Sequence, residues 1–171
     1  RQMPELPQLR SVADTGSLVR IVTPSALVVI PQSRKCEGEG VTMPSPQYVV
    51  EPIGWVESVL LDADAAPKQG TEGAPDAWIA IDPAFEHAIA DLAVGDEIIV
   101  LTWLDRARRD VLRVHPRDDP AAPLTGVFST RSADRPNPIG LHPVRIIEIV
   151  DLRVHVADLE AIDRTPVIDI K

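Results

Sequence analysis

Short runs of β-branched residues, each bounded by a turn, fill the chain from Gln47 onward and limit its possible folds more than any other feature. Such runs between clusters of Pro, Gly and Asp are typical of strands. Eight strands are predicted, at residues 48–61 (bent at Gly54), 78–81, 97–103, 111–115, 126–129, 141–150, 153–157 and 166–170. The chain is therefore expected to build its core mainly from strands.

One helix is predicted between the second and third of these strands. Asp82 is a favourable N-cap, and Pro83 suits the first helical position because an N–H there has no partner within the helix. The apolar stripe that follows consists of Phe85, Ala88, Ile89 and Leu92. Gly95 is a suitable residue to end the helix.

Strands that do not alternate with helices favour a barrel over a doubly wound sheet. The predicted fold is mainly β, a single closed or nearly closed β-barrel of about seven or eight strands with one helix. No Gly-x-Gly-x-x-Gly motif follows any predicted strand, so the phosphate-binding turn of a Rossmann domain is missing. A nucleotide cofactor would have to bind by another geometry.

Residues 1–42 differ from the rest, because they contain scattered Pro, Ser and Gly without sustained periodicity. The Glu-Gly repeat at 37–40 is what purine-rich codons of a ribosome-binding site would encode just before an initiator Met43. We therefore interpret residues 1–42 as an extension, either disordered or upstream of the true start. Residues 43–171 are predicted to form the barrel domain.

The composition limits the class of protein. A chain of 171 residues with 44% hydrophobic residues can form one domain with a real core. No apolar run reaches 18 residues, which predicts a cytoplasmic protein without a membrane span. The single cysteine, Cys36, cannot form an internal disulfide. His87, His115, His142 and His155 lack metal-ligand spacing, so they are interpreted as structural or solvated, and no metal is predicted.

The net charge of −9 argues against a protein that coats nucleic acid nonspecifically, since that requires concentrated Lys and Arg. Residues 105–145 nevertheless hold eight arginines against five aspartates. Two interpretations remain open: a local basic face, or arginines dispersed over the barrel surface and paired with those aspartates.

Residues 126–141, which read GVFSTRSADRPNPIGL and are called the signature segment below, carry the most chemistry. A proline on each side of Asn137 stiffens the backbone. Because proline has no N–H, nearby carbonyls are left without a local donor. Asn137 offers an acceptor and two donors, and Arg131 and Arg135 bring planar forks suited to carboxylate or phosphate. The segment is either a rigid loop for an anionic or nucleotide-like ligand, or a stiff connection with exposed arginines.

The signature segment resembles that of the TrmO/TsaA-like family, whose usual form is GVFATRSPFRPNPIGL. Weaker similarities follow in the family's order at residues 53–56, 67–69 and 163–171. The resemblance spans residues 52–171. It implies a β-barrel methyltransferase that binds S-adenosylmethionine without a Rossmann fold, as a homodimer with its pocket near the subunit interface. The substrate it implies is the threonylcarbamoyl-modified adenosine beside the anticodon of tRNA, methylated at N6.

The resemblance also implies which residues contact the cofactor. They are Pro67, Lys68, Gln69, Asp105, Arg106, Arg131, Leu141, Ala157, Asp158, Leu159 and Glu160. This chain departs from the family at several positions: Asp105 falls where a histidine is common, Lys68 replaces an arginine, Ala133-Asp134 replaces Pro-Phe, and Arg164 replaces a glycine. These departures affect the substrate assignment more than the cofactor assignment.

Methyl transfer from a sulfonium is an in-line displacement that needs no covalent nucleophile. We expect Arg131, Arg135 and Asn137 to bind the substrate, the arginines through a carboxylate or phosphate and Asn137 by orienting the amine. The general base is Asp105, Asp158 or water. Trp55, Trp78 and Trp103 are predicted to be core residues. The rival functions are a non-catalytic S-adenosylmethionine-binding module and a methyltransferase for a small molecule.

Overall fold

A computed structural model of the protein describes residues 28–29 and 48–171. This part of the chain is mainly β, as predicted. Its strands are β1 (Val28–Val29), β2 (Val49–Val50), β3 (Gly54–Glu57), β4 (Ala77–Ile81), β5 (Glu97–Trp103), β6 (Arg113–Val114), β7 (Thr125–Gly126), β8 (Ile139–Val150), β9 (Arg153–Val156) and β10 (Pro166–Ile170). Apart from Val28 and Val29, the interpretation of residues 1–42 falls outside the described residues.

Six strands form a closed antiparallel barrel in the order β3-β4-β9-β8-β5-β10, with β10 pairing back onto β3. The prediction of about seven or eight barrel strands is therefore too high for the described residues. The predicted strands at 111–115 and 126–129 contribute β6 and β7, which pair with each other outside the barrel. Strand β2 pairs with β1, so only residues 54–57 of the predicted strand at 48–61 join the barrel.

Alternating side chains explain why these strands close around one core. In β8, every second residue from Gly140 to Ile146 is buried, as expected for a strand with one face inward. Each of the six strands contributes a side chain that is at most 1% exposed: Val56, Ile79, Val100, Ile146, Val154 and Val167. The inward positions also include two polar side chains, Thr102 on β5 and His142 on β8.

The predicted helix forms as a 3-10 segment, Pro83–Ile89. The Asp82 side chain accepts a 2.9 Å hydrogen bond from the Ala84 N–H, so the predicted N-cap is confirmed. Phe85 interrupts regular helical geometry with φ −108° and ψ 16°, and the segment ends well before Gly95. Phe85, Ile89 and Leu92 pack against the barrel core, while Ala88 is exposed.

Of the three tryptophans, Trp103 is buried at 3% exposure, which confirms its predicted core position. For Trp78 the prediction is wrong, because its neighbours Ala77 and Ile79 take the inward positions of β4. Trp78 lies half-buried on the outer face and stacks on His155 with ring centroids 4.4 Å apart. Trp55 is also only half-buried. Within the described part of the chain, no helix is long and apolar enough to cross a membrane.

Candidate functional site

A groove of about 490 Å³ lies where the barrel wall of β5 and β8 meets two connecting segments. We call it the charged groove. Five residues predicted to contact a cofactor line it, from three separate parts of the chain: Gln69, Arg131, Ala157, Asp158 and Glu160. Five of the eleven residues predicted to contact the cofactor thus lie around one groove.

Close backbone contact brings two of these parts together. A Cβ atom built on Gly70 would lie 2.3 Å from the carbonyl oxygen of Asp158, so only glycine allows this approach. On the other side, the Leu159 side chain is fully buried in the barrel core and its N–H donates to the Pro75 carbonyl at 3.1 Å. The segment after β9 is thus anchored by Leu159 and presents Asp158 and Glu160 to the groove.

The third part is the signature segment. Arg131 donates from Nη2 to the carbonyl oxygen of Leu141 at 2.9 Å, which joins two residues predicted from this segment. The Leu141 side chain itself is 50% exposed on the outer face of β8. Arg131 therefore lies at the groove because a main-chain oxygen of the barrel wall holds it.

The charged groove carries both signs of charge. Arg131 and Arg145 supply guanidinium groups, and Glu97, Asp158 and Glu160 supply carboxylates. A volume of this size falls within the range of roughly 300–1,000 Å³ typical of small-molecule sites. A lining with both signs suits a ligand that carries an anionic and a cationic group. A second cleft of about 400 Å³, near Leu92 and Leu152, contains none of the predicted site residues.

Six of the eleven residues predicted to contact the cofactor stand apart from the groove lining: Leu141 and Leu159, described above, and the four that follow. The Lys68 Nζ atom lies 2.5 Å from Asp118 Oδ2 in an exposed ion pair, next to the half-buried Pro67. Asp105 and Arg106 are both exposed, and Arg106 makes only a 3.5 Å contact to the Leu61 carbonyl. A role for these residues at the cofactor remains a prediction.

Arg135 is engaged within the signature segment. Its guanidinium donates to three main-chain carbonyls, those of Ser132 at 2.8 Å, Val127 at 3.1 Å and Thr130 at 2.6 Å. Asn137 is exposed, and its main-chain carbonyl accepts from the Ile139 N–H at 2.9 Å. Arg135 thus fixes the course of the loop, while the Asn137 side chain faces solvent.

Beside the groove, the predicted residue Glu160 is joined to two side chains that sequence reasoning did not assign to the site. Thr102, His142 and Glu160, called the buried polar row below, run from inside the barrel to the groove lining. The Thr102 Oγ1 atom lies 2.9 Å from His142 Nε2, and His142 Nδ1 lies 3.0 Å from Glu160 Oε1. His142 was interpreted from the sequence as a structural or solvated residue. In β8 it takes one of the alternating positions that are otherwise buried and apolar or glycine, and this was the signal that its side chain points inward.

Glu160 is ionised more readily than an ordinary glutamic acid. Burial alone would raise its pKa, but the contact with His142 and, more weakly, the charge of Arg131 outweigh burial and hold the pKa of Glu160 below its usual value. The groove therefore presents a carboxylate at neutral pH. Among the described residues, no group of three or more His, Cys, Asp and Glu side chains is arranged to hold a metal ion.

Comparison with known proteins gives a consistent family. A family model described as the tRNA-methyltransferase O N-terminal domain matches residues 55–171. An S-adenosyl-L-methionine-binding protein of Archaeoglobus fulgidus is 42% identical over 136 residues, covering 72% of this chain and 87% of the relative. A probable S-adenosyl-L-methionine-binding protein of Methanothermobacter thermautotrophicus is 41% identical over 122 residues, covering 71% and 87%.

A solved structure shares the fold. The crystal structure of TrmO from Pseudomonas aeruginosa aligns with a TM-score of 0.58 at 27% identity, over 75% of this chain. The alignment covers 55% of the TrmO chain, so this protein spans little more than half the length of that relative. The two archaeal proteins are matched over most of their length.

Proposed function

Because this chain belongs to the tRNA-methyltransferase O N-terminal domain family, we propose that it is a methyltransferase that binds S-adenosylmethionine in the charged groove. The observation that carries the proposal is the assembly of Gln69, Arg131 and residues 157–160 around one groove. Two archaeal relatives named as S-adenosyl-L-methionine-binding proteins support the same cofactor. A soluble tRNA would be met in the cytoplasm, so we place the activity there.

The groove residues fit this cofactor in charge. S-adenosylmethionine carries a carboxylate, an ammonium and a sulfonium, and it supplies an electrophilic methyl group. Glu160, whose pKa is lowered by His142 and Arg131 despite its burial, offers a carboxylate to the cationic groups. Arg131 offers its guanidinium to an anionic group. The close approach at Gly70 keeps the Gln69 segment against Asp158, so these two sides of the groove are held together.

For the substrate we propose the threonylcarbamoyl-modified adenosine of tRNA. Its carboxylate and the ureido N6–H that is to be methylated call for one guanidinium and one orienting amide. Arg131 lies at the groove with enough N–H donors to contact a substrate carboxylate as well as the cofactor, and Asn137 is exposed on the same rigid segment, so these two side chains would receive the substrate. Arg135 would act by holding that segment through its three carbonyl contacts. Asp158, Asp105 or water would accept the proton.

A homodimer is part of the proposal. Ile99, Ile139 and Leu141 are each at least 40% exposed on the outer faces of the paired strands β5 and β8. Ile99 also lines the charged groove, so a second copy seated on this face would border the cofactor site. Burying such an apolar face is the main driving force of a stable dimer. Sedimentation equilibrium should give a dimer, and Ile139→Glu should give a monomer; a monomeric wild type would contradict this part.

A non-catalytic binding module is the second candidate, because both archaeal relatives are named for binding and not for transfer. The deciding experiment incubates the purified chain with methyl-labelled S-adenosylmethionine and bulk tRNA and then analyses the nucleosides. Label in a modified adenosine supports the methyltransferase. Tight cofactor binding without transfer supports the module, and label found only in added metabolites supports a small-molecule methyltransferase.

The role of Asn137 has its own test. Asn137→Ala should lower turnover by about tenfold or more while cofactor affinity changes little, because the amide acts on the amine and not on the cofactor. Ser129→Ala is the matched control, since Ser129 is exposed in the same segment. Equal and small losses in turnover and affinity would refute the role of Asn137.

A further inference from the structure

The buried polar row is built to hold one carboxylate in one place. The side chain of His142 is 6% exposed and that of Glu160 is 16% exposed, with 3.0 Å between Nδ1 and Oε1. The other ring nitrogen, Nε2, is 2.9 Å from the hydroxyl of the buried Thr102. Both nitrogens of the imidazole therefore face a polar side chain, one inside the barrel and one at the groove.

The ionised carboxylate of Glu160 can only accept, so its position beside Nδ1 favours the proton of a neutral His142 on that nitrogen. The Thr102 hydroxyl can donate as well as accept, and it donates to Nε2 when the ring proton lies on Nδ1. A protonated imidazole also presents a proton at Nδ1. In both protonation states, the edge of the ring that faces the charged groove is a donor.

Two glycines leave the space that this row occupies. A Cβ on Gly140 would lie 2.3 Å from Thr102 Oγ1 and 2.5 Å from His142 Nε2. A Cβ on Gly70 would lie 3.2 Å from Glu160 Oε2. Oε1 of Glu160 is thus turned towards His142, and Oε2 towards the Gln69–Thr71 side of the groove.

One contact in the row falls short of a regular hydrogen bond. Within the described residues, His142 Nδ1 is the buried side-chain nitrogen or oxygen that lacks a regular hydrogen bond, although Glu160 Oε1 lies 3.0 Å away. Hydrogen bonds of this kind commonly tighten only when a ligand is bound. A cationic group that contacts Oε2 would draw the carboxylate into its final orientation.

We infer that His142 is a positioning residue that orients the Glu160 carboxylate towards a cationic group of the bound cofactor, with Thr102 holding the other nitrogen of the ring inside the barrel. This rests on the proposed function in one respect, that the charged groove is the cofactor site. His142 itself contacts no ligand. It acts because an oriented carboxylate loses less freedom on binding than a mobile one.

Two conservative substitutions separate positioning from simple packing. In His142→Asn, the side-chain amide keeps a donor near the position of Nδ1; in His142→Gln, it keeps a donor near the position of Nε2. The first variant should keep the cofactor dissociation constant within about threefold of wild type, and the second should raise it by about tenfold. A residue that only fills space would make both variants equally poor.

Thr102→Val provides a second route if His142→Gln folds badly, because valine keeps the shape and removes the hydroxyl. It should weaken cofactor binding by about threefold, because Nε2 loses its polar partner inside the barrel and the ring is held less firmly against Glu160. His155→Asn is the matched control: His155 lies 3.8 Å from Glu148 outside the groove, and its loss should leave the cofactor affinity unchanged. Calorimetry measures the affinities, and thermal unfolding checks the fold of each variant.

A ligand-free measurement keeps this inference distinct from the proposed function. Carbon NMR of the Glu160 carboxyl should give a pKa below the ordinary value in wild type and His142→Asn, and a higher pKa in His142→Gln. An unchanged pKa across all three proteins overturns the inference even when the cofactor binds. A wild type with the expected titration but no affinity for S-adenosylmethionine would instead overturn the proposed function.

Discussion

The signature segment is held in place by contacts between residues close together in the sequence, whereas the buried polar row is held by contacts between residues far apart in the sequence. In the signature segment, Arg135 reaches carbonyls no more than eight residues away, at Val127, Thr130 and Ser132. In the row, Thr102 and His142 are 40 residues apart and meet only because β5 pairs with β8. The first region is shaped by local chemistry, and the second exists only inside the closed barrel.

This difference separates two tasks at one site. The signature segment is held by its own local hydrogen bonds, so it can present Arg131 and Asn137 without depending on the packing of the core. This suits the region that receives a substrate. The buried row depends on barrel packing and keeps a carboxylate ionised, which suits a fixed cofactor site. Substitutions should therefore affect the two regions differently.

The largest effect is expected where the two regions meet, at Gly140. Gly140→Ala places a Cβ 2.3 Å from Thr102 Oγ1 inside the barrel, so it should lower the free energy of unfolding by about 3 kcal/mol. Gly126→Ala is the matched control within the same segment, because no atom lies within 4 Å of its Cβ position and its φ is −61°. Urea unfolding of both variants measures the contrast, and equal stability would contradict it.

A smaller loss of stability is expected when the hydrogen bonds of Arg135 within the signature segment are removed. Arg135→Ala removes three charge-assisted hydrogen bonds to half-buried loop carbonyls and should lower the free energy of unfolding by about 2 kcal/mol. Arg131→Ala removes a single exposed hydrogen bond and should change stability by less than about 1 kcal/mol while weakening cofactor binding. Urea unfolding measures the stability of both variants, and calorimetry measures their cofactor affinity. A larger stability loss in Arg131→Ala than in Arg135→Ala would refute the prediction.

The buried row should also produce a dependence on pH. The pKa of Glu160 lies below its ordinary value of 4.5, because His142 and Arg131 outweigh the opposing effect of burial. A lowered folded-state pKa adds stability above the unfolded pKa, and this stability is lost as pH falls through the folded value. Glu160→Gln should thus be less stable than wild type at neutral pH, and the gap should close in acid. Unfolding across a pH series tests this, with Glu148→Gln as a surface control; a constant gap would count against it.

The smallest effect is expected at the exposed ion pair between Lys68 and Asp118. Their side chains are 53% and 78% exposed, so Asp118→Asn should change the free energy of unfolding by less than about 0.5 kcal/mol, and less still at high salt. If the freed Lys68 then turns to the cofactor, affinity should rise slightly. Calorimetry at two salt concentrations measures both, and a stability loss above about 1 kcal/mol would show that the pair matters more than its exposure indicates.

Local patterns predicted many elements well. The strands at 97–103 and 166–170 were predicted with the residues the structure gives to β5 and β10, because β-branched runs bounded by turn residues carry their own boundaries. The N-cap at Asp82 was equally visible, since capping is a contact between near neighbours. The number of barrel strands was overestimated. Strand pairing depends on contacts between residues far apart in the sequence, and β6 and β7 pair with each other and not with the barrel.

The site divides in the same way. Family similarity selected Gln69, Arg131, Ala157, Asp158 and Glu160, and the fold gathers them at one groove. His142 and Thr102 were missed as functional residues because each is unremarkable in its own strand. They meet because the strand register places Thr102 opposite Gly140, and Gly140, which has no side chain, leaves room for the imidazole of His142.

The sequence by itself determined a mainly β chain, a stiff signature segment and the family to which the protein belongs, because these depend on local spacing and on residue identity. Only the tertiary structure decided that six strands close the barrel and that a histidine and a threonine stand behind the groove carboxylate. The physical reason is range. Turns, caps and proline restraints act within a few residues, whereas burial, strand register and the ionisation of Glu160 depend on partners that only folding brings together.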